Sequence, residues 1–422
     1  MNREVIDTLE GILTEEIELV EEDFGATEAL VVEQMRLLGR GFLQRSVDRH
    51  ANGYKGSSIA CSCGGSMRFV GHRGRDIHTV FGWIRIKRAY YHCPDCGAGL
   101  CPYDESGGLG REQLSPALAK ACCLLAVDDS FEQSSQKVSE LFGQEVSERT
   151  IERIVHNIGA AAIEQQREAL EEFRCSRQIP DAQFEPEMLY IEGDGTMVCE
   201  KDGWHEAKVG CIYWEDEGFQ RHRRYVAGFE DSDSFGWQLW LEACRCGLRE
   251  AGKVAYPGDG AGWIANEGQK HFPTATHILD WYHGSEHVWD CSKVLFGEGT
   301  KETERWVRKR LDQLWDGCTR KVLNCLKQKF KQCLGDKSAA LEALIGYISK
   351  NEEKMRYDVF RAEGFDIGSG AVEAACKHVV GKRLKQSGMR WSRPGSSATL
   401  MLRVVWLNGD WNRLWSQRPL AA

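Results

Sequence analysis

Five short apolar runs between residues 188 and 283 constrain the fold of this chain more than any other feature. They are MLYIEGD (188 to 194), AKVGCIYWE (207 to 215), RRYVAGF (223 to 229), KVAYPGD (253 to 259) and THILDWYH (276 to 283). Each is rich in β-branched and aromatic residues and is bounded by turn formers, which predicts strands. The first three follow one another closely, as in an antiparallel meander. Between the third and fourth lies SFGWQLWLEACRCGLREAG, with Trp237, Trp240, Leu241 and Cys244 at i, i+3, i+4 and i+7, the stripe of an amphipathic helix. A short helix around NEGQKHF separates the fourth from the fifth. The predicted order is therefore βββαβαβ.

That order resembles the ribonuclease H-like fold, in which strands one and four lie side by side. Gly-Asp-Gly occurs twice, at the ends of these two runs, with Asp194 and Asp259 as the central acids. Asp-Gly is also the strongest short hairpin signal, since glycine takes the positive φ of a tight turn. The functional alternative is that glycine leaves a carboxylate at a strand end open to a ligand. Two neighbouring carboxylates repel unless a cation neutralises them, and a hard divalent ion such as Mg²⁺ or Mn²⁺ suits oxygen ligands. A pair of such ions supports in-line phosphoryl displacement.

Such a site needs a third carboxylate, and Glu373 in IGSGAVEAACKHVVGKRLKQSGMRWS is the best candidate. It heads an amphipathic helix with Val372, Cys376 and Val379 on its apolar face. Its bland reading is an i,i+4 partner of Lys377. Residues 374 to 393, however, hold Lys377, Lys382, Arg383, Lys385, Arg390 and Arg393 and no acid, a run suited to a nucleic-acid backbone. Trp391 within it reads as a core residue in preference to a base-stacking one. Asp280 and His283, three apart after the fifth run, suit either an accessory metal or phosphate site or a helix N-cap beside a satisfied histidine. Residues 284 to 363 are charged and helical, too long for a loop, and read as an all-helical insertion within a core of 183 to 283 and 364 to 422.

Upstream, residues 56 to 105 change character. Cys61/Cys63 and Cys93/Cys96 flank VFGWIRIKRAYYH, and four thiolates gathered by a hairpin suit structural Zn²⁺. His92 or Cys101 are substitute ligands, because the first pair is Cys-x-Cys. Residues 112 to 182 read as helical: Ser115-Pro116 starts one helix, another stops at Gly143, and Ser147 caps the next. In that last helix Ile151, Ile154, Val155 and Ile158 form the buried stripe and Arg149 and Arg153 face out, as in a helix-turn-helix. Any αα-hairpin shares this pattern.

Residues 1 to 55 read as an acidic helical segment; the first thirty hold ten acids and one base, Arg3. The net charge of −9 resides there, leaving 53 bases against 53 acids elsewhere, so local patches decide what the chain binds. Seventeen cysteines in a long helix- and strand-rich chain point to reduced core residues or metal ligands, not a disulfide scaffold. No apolar run reaches membrane-spanning length and the N-terminus does not resemble a signal peptide, so the expected compartment is the cytoplasm.

Taken in order, CSCGG with YYHCPDCG, the SF…VSERTI helical pair, IEGDGTMV, PGDGAGW, LDWYH and IGSGAVEAACKHVVGKRLKQSGMRWS resemble bacterial insertion-sequence transposases of the DDE type. The likeness is closest to the ISKra4 family within the Mutator-like, IS256-like assemblage, and it covers most of the chain. The resemblance implies a multidomain α/β protein with a ribonuclease H-like catalytic core, preceded by a helical N-terminus, a zinc-ribbon-like module and a helix-turn-helix. It assigns Asp194, Asp259 and Glu373 to two divalent ions, and Asp280 and His283 to an accessory element. It further implies cleavage of terminal inverted repeats, joining to target DNA, and at least a dimer on DNA. The alternatives are a DNA-binding derivative that has lost catalysis and a metal-dependent nuclease without strand transfer.

Overall fold

The computed structural model describes residues 23–50 and 53–417; the expected helix over the first 22 residues lies outside them. The chain divides into two compact units, one running to Ala162 and including the helix Trp411–Ser416, the other spanning Ile163–Asp410. No helix among the described residues is long and apolar enough to cross a membrane. The architecture is mixed α/β in several parts.

In the first unit, α1 (Phe24–His50) precedes a four-stranded antiparallel sheet of β1 (Ser58–Ala60), β2 (Ser66–Thr79), β3 (Gly82–His92) and β4 (Gly99–Leu100). The long β2–β3 hairpin turns where the Thr79 hydroxyl donates to the Gly82 carbonyl at 2.7 Å. A short α2 (Pro102–Ser106) leads to three helices whose ends are written in the sequence. Ser115 caps α3 (Pro116–Ala126), and Ser130 with Gln133 forms a capping box on α4 (Phe131–Phe142). Gly143 ends α4 at φ 61°, a left-handed stop that favours glycine. The Ser147 hydroxyl then accepts from Thr150 N at 3.3 Å to start α5 (Glu148–Ser176), whose residues from Ile163 on belong to the second unit. Ile151, Ile154, Val155 and Ile158 are all buried, as the periodicity requires.

The second unit is built on β5 (Met188–Glu200), β6 (Gly203–Glu215), β7 (Arg221–Gly228), β8 (Lys253–Gly258) and β9 (Thr276–Leu279). Their order across the sheet is β7-β6-β5-β8-β9; the first three are antiparallel, and β5, β8 and β9 are parallel. Strands one and four of the predicted series are therefore neighbours. The first hairpin is longer than its apolar runs, with Glu200 still paired to Gly203. Conversely β9 stops at Leu279, because Asp280 caps the helix that follows.

Two helices, α6 (Ser232–Arg245) and α7 (Gly262–His271), join these strands. Phe235, Leu239 and Ala243 of α6 and Ile264 of α7 share a core with Leu189, Ile191, Ile212, Val226 and Tyr256 of the sheet. Residues 281–362 form helices joined by short turns: α8 (Trp281–Phe296), α9 (Lys301–Trp315), α10 (Thr319–Phe330), α11 (Asp336–Asn351), a 3₁₀ turn and α12 (Tyr357–Ala362). The chain returns through α13 (Gly370–Ala375), a π turn (Cys376–Gly381), α14 (Lys382–Leu384) and α15 (Arg393–Leu407).

Arg224 ties this unit together. Its guanidinium donates to Glu242 on α6 at 2.7 Å, to Asp410 at 2.8 Å and to the Asn408 carbonyl at 2.5 Å. Burial would raise the Glu242 carboxyl, but Arg224 and Arg245 outweigh it and hold the group below its ordinary value. A carboxyl depressed in the folded state stabilises above its unfolded pKa and loses that contribution as pH falls through the folded one. Acid unfolding below about pH 4.5 should therefore be steeper in the native chain than in Glu242→Gln, read as urea midpoints against pH. Arg224→Ala strands a buried carboxylate and should cost on the order of 3 kcal/mol.

Candidate active site and metal centre

The spacing of the two Gly-Asp-Gly stretches is the register of a parallel strand pair. Met188, Leu189 and Tyr190 of β5 face Lys253, Val254 and Ala255 of β8, an offset of 65 residues (253 minus 188). The same offset separates Asp194 from Asp259 (259 minus 194), so the two acids follow the last paired residues, Tyr190 and Ala255, by the same four positions. Between β8 and β9 the offset is 21 (276 minus 255), which puts Asp280 level with Asp259, and Asp280 N donates to the Gly258 carbonyl at 2.8 Å. Asp259 and Asp280 thus directly follow the carboxyl ends of β8 and β9, and Asp194 lies in β5 beyond its paired stretch with β8, at the edge where open α/β sheets bind ligands.

Neither Gly-Asp-Gly is a hairpin turn. The first lies within β5, with Asp194 paired to Val209, and the hairpin turns at 201–202. The second leaves β8 for α7, with Gly260 at φ 89°, a conformation that favours glycine. Asp194 is half-buried; its Oδ1 accepts from Gly195 N at 2.7 Å and its Oδ2 from the Cys376 thiol at 3.5 Å. Asp259 is likewise half-buried, with Oδ1 accepting from Ala261 N at 2.7 Å.

Glu373 lies in the first turn of α13, half-buried, and Cys376 follows it by three residues. The Cys376 contact brings this helix onto Asp194, and burial followed by the Asp194 charge raises the thiol. Among the described residues, the oxygens of Asp194, Asp259 and Glu373 do not form a group mutually within 4.8 Å. Each aspartate accepts from a nearby backbone N–H.

A fourth carboxyl, Glu192, is absent from the sequence reading. It is fully buried; Oε2 accepts from Val372 N at 2.7 Å and Oε1 from the Tyr213 hydroxyl at 2.9 Å. Burial pushes it up to about 8 against the pull of those two donors. Glu192 positions the residue next to Glu373. Its signal in the sequence is the i,i+2 spacing from Asp194, which puts both acids on one sheet face.

Asp280 and His283 form a helix cap, not an open accessory site. Asp280 is fully buried and accepts from His283 N at 2.7 Å, from the Ser369 hydroxyl at 2.8 Å and from Ser369 N. Its oxygens are committed to α8 and to the approach to α13. His283 Nδ1 stands 3.4 Å from Asp280 Oδ1 at the half-exposed side of this cap.

The basic run divides. Lys377, Lys382, Lys385 and Arg390 are exposed, and the Lys385 ammonium donates to the Thr196 hydroxyl, two residues beyond Asp194. Arg383 is fully buried, its guanidinium 4.9 Å from the Trp391 ring and 3.5 Å from Met389 Sδ, which removes it from the surface expected to meet DNA. Arg393 pairs with Glu200 at 3.2 Å and lies over the Phe229 ring. Trp391 is core, donating to the Leu384 carbonyl at 3.1 Å. In the first unit Arg149 is exposed, whereas Arg153 is clamped by both oxygens of Glu112 at 2.5 and 2.6 Å.

In that unit Cys61, Cys63, Cys93 and Cys96 bring all four sulfurs within 4.8 Å of one another, so neither His92 nor Cys101 substitutes. The Cys61–Cys96 and Cys63–Cys93 separations are 3.6 and 3.7 Å. A tetrahedron with Zn–S bonds of about 2.3 Å has edges of ~3.8 Å. The Cys63 N–H and thiol draw Cys61 down to about 7. The Gly65 N–H favours a Cys63 thiolate too, but the other three sulfurs outweigh it and push Cys63 up to about 12. Four adjacent thiols resist joint ionisation, and a bound dication would lift that resistance.

A family model matches residues 66–417 of the chain. The chain belongs to the uncharacterised protein family UPF0236. The UPF0236 match takes in the whole second unit with these acids, and begins after Cys61 and Cys63. No curated protein matches the chain.

Glu192→Gln keeps the shape of a neutral carboxyl and should change stability by less than about 1 kcal/mol. Glu192→Leu strands Val372 N–H and the Tyr213 hydroxyl and should cost roughly 1–3 kcal/mol in denaturant unfolding. Equal effects of the two would remove Glu192 as the clamp. Cys93→Ser should lower bound zinc by one equivalent and expose the β1–β4 sheet to proteolysis; unchanged zinc content would exclude the four-sulfur site.

Proposed function

We propose that this UPF0236 protein is a DNA transposase of an insertion sequence, a metal-dependent polynucleotidyl transferase with a ribonuclease H-like core. The observation that carries the proposal is a shared strand pair: Asp194 lies on β5, Asp259 directly follows its parallel neighbour β8, and Cys376, which follows the helix bearing Glu373, is bonded to Asp194. The strand order β7-β6-β5-β8-β9, with an antiparallel meander on one side and two parallel crossovers on the other, supports the same fold.

Asp194, Asp259 and Glu373 offer half-exposed oxygen ligands, the donor set of Mg²⁺ or Mn²⁺. Two such ions, when bound, neutralise the charge that gathers on the attacking and leaving oxygens of a phosphodiester. Glu192 and Asp280 hold the start of α13 so that Glu373 is presented at the strand ends. Lys377, Lys382, Lys385 and Arg390 provide phosphate contacts along the same chain segment, and Lys385 lies beside the β5 acid. Lys385 supplies its charge next to the scissile position and orients the backbone; it transfers no proton. Structural zinc in the Cys61/Cys63/Cys93/Cys96 cluster and DNA contact through α5, with Arg149 at its exposed start, complete the reading.

The test uses DNA carrying the sequences that flank the coding region. Asp194→Ala, Asp259→Ala and Glu373→Ala should each lower Mg²⁺-dependent cleavage roughly 10³-fold, the loss of several kcal/mol of charge stabilisation, while band shifts on the same DNA persist. Retained cleavage in any one variant removes that residue from the site. Binding without cleavage by the native chain would favour a DNA-binding derivative, and cleavage without joining a nuclease.

A further inference from the structure

Two helices that take no part in the proposed reaction bring a histidine and two carboxylates together. Asp233 lies in the first turn of α6, and Glu267 and His271 project one turn apart from the same face of α7. Their ligand atoms all lie within 4.8 Å of one another. His271 Nε2 is 3.1 Å from Glu267 Oε2 and 4.0 Å from Asp233 Oδ1. A tetrahedral ion with bonds of about 2.1 Å to nitrogen and oxygen sets its ligand atoms ~3.4 Å apart, between these two distances.

Burial and orphaned atoms give the second, independent argument. His271 is 5% exposed and Glu267 8%. Among the described residues, neither His271 Nε2 nor Glu267 Oε2 has a hydrogen-bond partner, although the two atoms face each other at 3.1 Å. Leaving a buried polar atom unsatisfied is costly, and one cation bonded to both would satisfy the pair. The facing helix makes room for them. A Cβ at Gly236, one turn after Asp233, would stand 2.7 Å from His271 Nε2 and closer still to Glu267 Oε2. Trp237 closes the side with its ring 4.6 Å from the imidazole.

We propose that Asp233, Glu267 and His271 form a site for one divalent transition-metal ion of the zinc class, bolting α6 to α7. One nitrogen and two carboxylate oxygens, with a water as the fourth ligand, favour such an ion over Mg²⁺, which prefers an octahedron of oxygens. The Lys270 ammonium, on a half-exposed stem, now contacts Asp233 Oδ1 and is the cation that the metal displaces. The site is independent of the polynucleotidyl transfer reading, and DNA cleavage does not enter its test.

Co²⁺ distinguishes this site from the cysteine cluster, because only thiolate ligands give a sulfur-to-metal charge-transfer band. Full-length protein stripped by chelator is loaded with Co²⁺, desalted, and measured for total cobalt and for that band. Glu267→Gln and Asp233→Asn should each hold one cobalt fewer than the native chain, with the thiolate band unchanged. Native cobalt content in both variants overturns the site. Should Glu267→Gln also lose the band, its fold has failed and Asp233→Asn decides, since that half-exposed side chain is not the N-cap of α6.

Discussion

The placement of Glu373 depends on two buried carboxyls that grip the start of its helix. A helix begins with backbone N–H groups that have no partner inside it. Here Asp280, at the end of β9, takes Ser369 N, and Glu192, on β5, takes Val372 N. One segment is thereby tied to two different strands of the sheet, and neither tie is to solvent. Burial of Glu192 and Asp280 would be unfavourable without those donors, so the approach to α13 and the strand edge stabilise each other.

This arrangement separates acids that hold the frame from acids that remain open. Glu192 and Asp280 have both oxygens occupied by protein donors, while Asp194, Asp259 and Glu373 stay half-exposed. All five are close in register or in sequence, so their difference lies in surroundings and not in residue type. The π turn at Cys376–Gly381 directly after α13 changes which residues follow Glu373 onto the sheet, and such turns recur at functional sites. Its first residue, Cys376, is the one that reaches Asp194.

Much of this was legible in the sequence because strands and helices announce themselves by period. The five runs, the stripe Ile151, Ile154, Val155 and Ile158, the stop at Gly143 and the cap at Ser147 all follow from local chemistry. The neighbouring of β5 and β8 was legible as topology, whereas the meaning of the 65-residue spacing became clear only as a parallel register. Side-chain partners were not legible. Arg383 and Arg153 read as outward cations in a basic run and on a helix face, yet one lies under Trp391 and the other is held by Glu112, forty-one residues away. Asp280 and His283 fit a ligand pair and a helix cap equally well in sequence, and only Ser369, eighty-nine residues distant, decides between them. Partners remote in sequence leave no periodic trace.

The helical insertion is the part whose purpose sequence says least about, and its contact with Asp259 gives it one. Tyr347, on α11, donates its hydroxyl to the Asp259 carbonyl at 3.3 Å and packs its ring, tilted by 32°, against His287 of α8 at 3.8 Å. Gly260 turns beneath that ring, where an added Cβ would stand 3.6 Å from the Tyr347 oxygen. Asp259 has left β8, so it lacks the strand pairing that holds Asp194 against Val209 of β6; α11 supplies from outside the sheet the restraint that pairing supplies within it. The insertion therefore braces an acid that has left its strand and heads no helix.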